Sequence, residues 1–272
     1  MTDGISAMEF VNSWGETARG LPLSTPPFID RRVLVPRQPP LIQYPHDTYL
    51  ELDDVSDISS LYMNEEMANE SFYFAPEKLT KLKQIATEDG VIESCTSFTV
   101  LTALVWRARS KALKMRPDQK TRLLFVVDVR SKLETPLPRG YFGNGIMLTS
   151  CVCTAGELNE KPLSFAVEVV QNAINIVTED FIRSAVDYIE VNRPRVSFTA
   201  TLLLTSWSRL SFNTADFGWG EPVQSGCASL TEKVMAIFLS GGKGDRKKGI
   251  TVLLGLPASA METFKEVMEM HV

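Results

Sequence analysis

The chain reads as an α/β protein, and three observations carry that reading. Short apolar runs rich in β-branched residues recur at 123–129, 146–153, 199–206, 234–239 and 250–254. Between and around them, apolar residues repeat at the three-to-four spacing of amphipathic helices. A proline-dense stretch at 21–47 sets the amino-terminal residues apart from the rest. The 272 residues, 44% of them hydrophobic, suffice for a substantial core in one or two domains.

Charge and cysteine content narrow the function. The formal net charge of −5, with no long basic block, gives no electrostatic support for a nucleic-acid or anionic-membrane partner. Local basic clusters still leave room for a phosphorylated ligand. Cys95, Cys151, Cys153 and Cys227 contain no CxxC pair, so no zinc site is expected, and reduced thiols suit a cytoplasmic protein. No apolar run approaches the length needed to cross a bilayer.

The elements follow in order. Ile5, Met8, Val11, Trp14 and Ala18 predict a first amphipathic helix, with Asp3 where an N-cap would sit. Pro22, Pro26, Pro27, Pro36, Pro39, Pro40 and Pro45 exclude helix and predict an extended connector, continued by a solvated acidic loop through Asp53, Asp54 and Asp57. Pro76 opens a short helix through Leu79, Leu82 and Ile85. Thr96 and Ser97 cap a second, whose later charges, Arg107, Arg109, Lys111 and Lys114, read as a solvated face. Strands are predicted at 123–129 and 146–153, and one long helix from Pro162 to about Asn192. A strand at 199–206 follows, then two strands joined by a hairpin at 241–249, then a last helix through Phe264 and Met268. Gly241-Gly242-Lys243-Gly244 lacks the spacing and ending of a phosphate loop.

The most distinctive run is Asp216-Phe217-Gly218-Trp219-Gly220. Two glycines allow backbone conformations closed to larger residues while the tryptophan ring is expected to anchor the turn, giving either a rigid corner or an ordinary loop. All five positions match the DFGWG signature of the plant BAHD acyltransferases, and the chain resembles that family along essentially its whole length. Pro26-Pro27-Phe28-Ile29-Asp30-Arg31, Tyr141-Phe142-Gly143-Asn144 and the run from Ser97 to Arg107 are similar to family segments as well. Asp3-Gly4 aligns with the end of the HxxxDG motif, which would place its histidine just upstream of Met1.

The resemblance implies the chloramphenicol-acetyltransferase-like fold of CoA-dependent acyltransferases, here mainly the carboxyl-terminal of two α/β domains. The expected division is a remnant of the first domain at 1–20, an interdomain crossover at 21–75 and an acyltransferase domain at 76–272. It implies a monomer without a permanently bound cofactor, with acyl-CoA as co-substrate and a hydroxylated small molecule as acceptor. Within the family the chain looks most like the branch that joins feruloyl groups to long-chain ω-hydroxy acids or fatty alcohols. A shikimate or quinate transferase is the alternative, and a non-catalytic acyl-CoA-binding or partner-binding remnant another.

Residue by residue, the resemblance makes Asp3 the structural aspartate of HxxxD, paired with an arginine for which Arg130 is the candidate. It places coenzyme A contacts at Thr96, Ser97, Arg130, Ser131 and Lys132 and at Phe217, Gly218, Trp219 and Gly220. Gly4, Asp216, Tyr141, Phe142, Gly143 and Asn144 are motif residues that shape the site. Arg209 is the acceptor-binding candidate, since a guanidinium can hold a carboxylate by two hydrogen bonds; pairing with Asp216 or another acid is the structural alternative. No metal ligand is implied. The catalytic histidine is expected to be missing, so the chain alone is expected to be inactive. His46, in Tyr44-Pro45-His46-Asp47-Thr48-Tyr49, resembles a crossover element and is expected to be structural, while His271 stands next to the carboxyl end.

Overall fold

The computed structural model describes residues 2–223, 225–227, 229–230, 233–242 and 248–270. Among them are six strands: β1 (Met67–Phe74), β2 (Lys120–Asp128), β3 (Ile146–Thr154), β4 (Thr201–Ser206), β5 (Met235–Ser240) and β6 (Ile250–Pro257). They form one sheet in the order β1-β6-β5-β4-β2-β3. β4 runs parallel to β2 and β5, and the outer pairs are antiparallel. The expected strands are therefore all present and share a sheet. The tip of the hairpin, 243–247, lies outside the described residues.

One helix organises the core. α4 (Ser97–Ala112) follows α1 (Gly4–Ala18), α2 (Ile58–Asn64) and α3 (Pro76–Thr87) in the chain. Thr96 caps α4 as expected, accepting from the Thr99 amide at 3.1 Å while the Thr99 hydroxyl accepts from the Thr96 amide. Because Val100-Leu101-Thr102-Ala103-Leu104-Val105-Trp106 carries no charge, the helix can be buried on every side, and it packs between α6 (Leu163–Asn175) and α8 (Ala258–Met270). Phe98 meets Phe125 and Phe238 at 6.0 Å each, and Trp106 Nε1 donates to Thr121 Oγ1 at 3.1 Å, which joins the helix to the sheet.

Four expectations are corrected. Arg107 and Arg109 are buried rather than on a solvated face. Arg107 donates to the carbonyls of Leu158, Lys161 and Pro162, closing the end of α5 (Ala155–Glu160), and Arg109 donates to the Tyr62 hydroxyl. Carbonyl oxygens and a ring face replace the water that a charge count assumes. The single helix from Pro162 is two, α6 and α7 (Glu179–Asn192), because Thr178 accepts from the Phe181 amide and starts a new helix with Glu179 and Asp180 in its first turn. Residues 58–74, left without an element in the sequence reading, hold α2 and β1, so the sheet takes an edge strand from the segment assigned to the crossover. Finally, α1 forms where expected, but its buried residues are Ser6 and Gly15, while Trp14 is exposed.

The connector at 21–47 is extended except for one 3₁₀ turn at Arg31–Leu34, a stretch free of proline that Asp30 caps, and it is strapped across α7. The Asp187 carboxylate, inaccessible to solvent, accepts from the amides of Arg37 and Leu41 and from Arg37 Nε at 2.7–2.8 Å. Ser184 Oγ accepts from the Gln43 amide at 3.0 Å and lies 3.2 Å from His46 Nε2. The imidazole packs against Phe181 and Tyr188, and burial holds it below the ordinary histidine value, which fits the structural role expected of it. Arg122, fully buried in β2, donates to the carbonyls of Asp47, Thr48, Leu50 and Ser197 and ties the end of the strap to the sheet.

Asp187→Ala should therefore remove three acceptor contacts at once and lower stability by about 2 kcal/mol. Thermal unfolding measures the loss, and limited proteolysis should show faster cleavage within 21–47; an unchanged cleavage rate would mean that the strap is held elsewhere.

Candidate active site

The site is built on one charged pair. Asp3, buried, caps α1 by accepting from the Ser6 amide at 2.9 Å and receives the Gly145 amide at 2.7 Å. Arg130, on the loop after β2, approaches both of its oxygens: Nη1 to Oδ2 at 2.8 Å and Nη2 to Oδ1 at 3.0 Å. The cap and the ion pair, read from the sequence as separate roles, are one arrangement. Burial by itself would raise the Asp3 carboxyl, but the Arg130 hydrogen bonds and the two amides outweigh it and hold the group below its usual range. Arg130 also reaches Asp128 at 3.1 Å and sits 5.9 Å from the centre of the Tyr141 ring.

A residue the sequence reading missed completes this knot. Ser6, fully buried, donates to the Gly143 carbonyl at 2.8 Å and accepts the Gly143 amide at 3.2 Å. A serine three residues after an N-cap aspartate, flanked by Ile5, Ala7 and Met8 in the apolar first turns of α1, is the signal that could have found it. Gly143 has no room for a side chain, since a Cβ there would lie 2.8 Å from the Tyr141 hydroxyl. The Phe142 backbone is tied to the connector, its amide donating to the Phe28 carbonyl at 2.8 Å and its carbonyl accepting from the Arg31 side chain, Nε, at 3.2 Å. The Tyr141–Asn144 motif thus joins α1, the connector and the end of β2, with Asn144 exposed and accepting from the Ile146 amide.

A cleft of about 560 Å³ opens beside the knot, between the amino ends of α1 and α4 and the carboxyl ends of β2 and β4. Gly4, Thr96, Ser97, Phe98, Asp128 and Arg209 are among its lining residues. The amino end of α4 points amide groups and the positive end of its dipole toward this space, an arrangement suited to phosphate or a thioester oxygen. Arg209 is exposed, and no acid pairs with it among the described residues; Asp216 pairs with Arg19 instead, at 3.1 Å. Ser131 is exposed and Lys132 half-buried on the loop after β2, and neither lines the cleft. Arg130 is committed to Asp3 and Asp128.

The DFGWG run is a turn held by its first residue. Asp216 Oδ1 accepts from the amides of Gly218 and Gly220 at 2.7 and 2.9 Å, and both glycines have positive φ, +108° and +91°. The tryptophan does not anchor it: Trp219 is 94% exposed, and Phe217 makes the ring contact, edge-on to Trp14 at 5.5 Å. Gly15 lets α1 approach this turn, since a Cβ there would lie 2.6 Å from the Asp216 carbonyl oxygen. Among the described residues no group of histidine, cysteine and carboxylate side chains could hold a metal. Cys153 is buried, and that burial pushes its thiol up to about 12, away from the thiolate form. No described helix is long and apolar enough to cross a membrane.

A mixed sheet around a buried helix, with an aspartate–arginine pair at the lip of a cleft, has the fold of CoA-dependent acyltransferases. F. graminearum TRI101, solved with coenzyme A and T-2 mycotoxin, superposes with a TM-score of 0.79 at 19% identity, covering 97% of this chain and 62% of that one. Vinorine synthase superposes at 0.67 and 20%, covering 98% and 60%. The Transferase family profile matches residues 1–271, and the chain belongs to this family, that of the BAHD acyltransferases. It is 58% identical to omega-hydroxypalmitate O-feruloyl transferase of Arabidopsis thaliana over 98% of its own length. It is 53% identical to fatty alcohol:caffeoyl-CoA acyltransferase of the same plant over 99%. The chain spans 58% and 62% of the length of these two curated relatives.

Asp3→Asn, which keeps a capping oxygen but removes the charge, should cost about 2 kcal/mol at pH 7. Because the folded carboxyl is lowered, its contribution is complete above the ordinary value of 3.8 and fades as the pH falls through the folded value. The difference in Tm between parent and variant should accordingly shrink below that pH; a constant difference would show that charge is not the cause.

Proposed function

We propose that this chain is part of an acyl-CoA-dependent O-acyltransferase that moves a hydroxycinnamoyl group, feruloyl in preference, from coenzyme A to the hydroxyl of a long-chain ω-hydroxy acid or fatty alcohol. The observation that carries the reading is the Asp3–Arg130 pair at the lip of the cleft, where the open end of α4 faces the same space. Acceptor class rests on relatedness: 58% and 53% identity to the two enzymes with long-chain names, against 33% to shikimate O-hydroxycinnamoyltransferase of Nicotiana tabacum. In the reaction a base takes the acceptor's hydroxyl proton, the oxygen attacks the thioester carbonyl, and coenzyme A leaves as its thiol once protonated. Arg130 and Asp3 act as positioning residues that fix the start of α1. The amides of α4 are suited to hold charge on the thioester or a phosphate oxygen. Unpaired cysteines suit a cytoplasmic setting.

One observation keeps a second reading in play, that of a chain that binds acyl-CoA without turning it over. The described residues include one histidine, His46, and it is packed beneath α7 rather than in the cleft. A positioned base is worth roughly two to four powers of ten. Transfer of feruloyl from its CoA ester to 16-hydroxypalmitate, followed by chromatography of the ester, separates the readings. A longer protein carrying this chain behind an HxxxDG histidine should be active, and the chain alone should be slower by at least about a hundredfold. Equal rates would contradict this account of the base, and coenzyme A binding with no transfer by either form would favour the second reading.

A further inference from the structure

We infer that a second groove, next to the cleft, is the subsite for the aliphatic chain of the acceptor; this rests on the acceptor class proposed above. The groove encloses about 570 Å³ and is walled by Trp207, Phe212, Phe217, Trp219 and Val223. Its ring walls are ordered against each other, with Trp207 and Phe212 at 5.4 Å. Two of its apolar residues stand in water, Trp219 at 94% and Val223 at 84% exposure. An exposed tryptophan beside an exposed valine gains by being covered, and a hydrocarbon chain lying along the groove would cover both.

Continuity with the reaction site selects this groove. Trp207 lines both the groove and the cleft, and it lies against the amino end of α1: a Cβ built on Gly4 would be 3.5 Å from Trp207 Nε1. A chain whose terminal hydroxyl lies in the cleft beside Gly4 can therefore pass Trp207 into the groove. The other large apolar groove, lined by Phe10, Trp14, Leu23 and Ile29, shares no lining residue with the cleft. Its apolar lining is the larger of the two, but it shares no residue with the cleft where the hydroxyl reacts.

The subsite predicts a length-dependent rate. Each methylene buried should raise kcat/KM about fourfold, so 16-hydroxypalmitate should exceed 6-hydroxyhexanoate by at least about a hundredfold with only three or four buried. Val223→Asp and Phe212→Ala should each lower that ratio about tenfold. Ile29→Asp, in the unconnected groove, serves as the control. The assay uses the longer protein carrying this chain, with feruloyl-CoA as donor. A ratio unmoved by Val223→Asp and Phe212→Ala, or one collapsed by Ile29→Asp, would overturn the subsite while leaving the transferase reading intact. Transfer to shikimate with none to either ω-hydroxy acid would overturn the acceptor class, and the subsite with it.

Discussion

The two-oxygen contact between Asp3 and Arg130 is the constraint on which the site depends. Asp3 is fully buried, so its charge survives only because a guanidinium and two backbone amides replace the water it lost. That requirement fixes three pieces of chain at once: the start of α1, the loop after β2 that carries Arg130, and the backbone at Gly145 entering β3. Ser6 adds Gly143 to the set. The lip of the cleft is thus defined by electrostatics, whereas the sheet behind it is defined by apolar burial around α4.

The same division explains the rest of the molecule. The connector carries few apolar residues that reach the core, and it is held by buried polar groups reaching out from the folded body: Asp187 and Ser184 on α7, and Arg122 in β2. Buried hydrogen-bonded charges specify geometry more than they add stability. Such groups suit a segment that must lie in one path across the surface. Asp216 does the equivalent for the DFGWG turn, accepting two glycine amides, while Gly15 permits α1 to dock on its carbonyl.

What was legible in the sequence follows from what kind of force is at work. Strands and helices driven by apolar periodicity were readable, and so were the caps at Thr96 and Asp3, because their signals are local. The family resemblance supplied the Asp3–Arg130 pairing, which no spacing could give across 127 residues. The misreadings at Arg107, Arg109 and Trp219 share one origin. Burial of Arg107 and Arg109 depends on carbonyls and a ring brought from elsewhere in the chain, and the exposure of Trp219 depends on Phe217 taking the inner position. The break at Thr178 was local and could have been read from Thr178-Glu179-Asp180, but the apolar repeat on either side masked it. Strand β1, whose Met67-Ala68-Asn69-Glu70-Ser71 alternates poorly, exists because β6 offers it an edge.

The account stands on the coupling between two side chains, and a double-mutant cycle measures that coupling directly. Unfolding free energies of the parent, Asp3→Ala, Arg130→Ala and the double variant are compared at pH 7. If the pair organises the site, the single losses should exceed additivity by about 3 kcal/mol, because either substitution alone strands a buried charge. A coupling below about 0.5 kcal/mol would mean that the two residues act independently and that the cleft is shaped by packing alone.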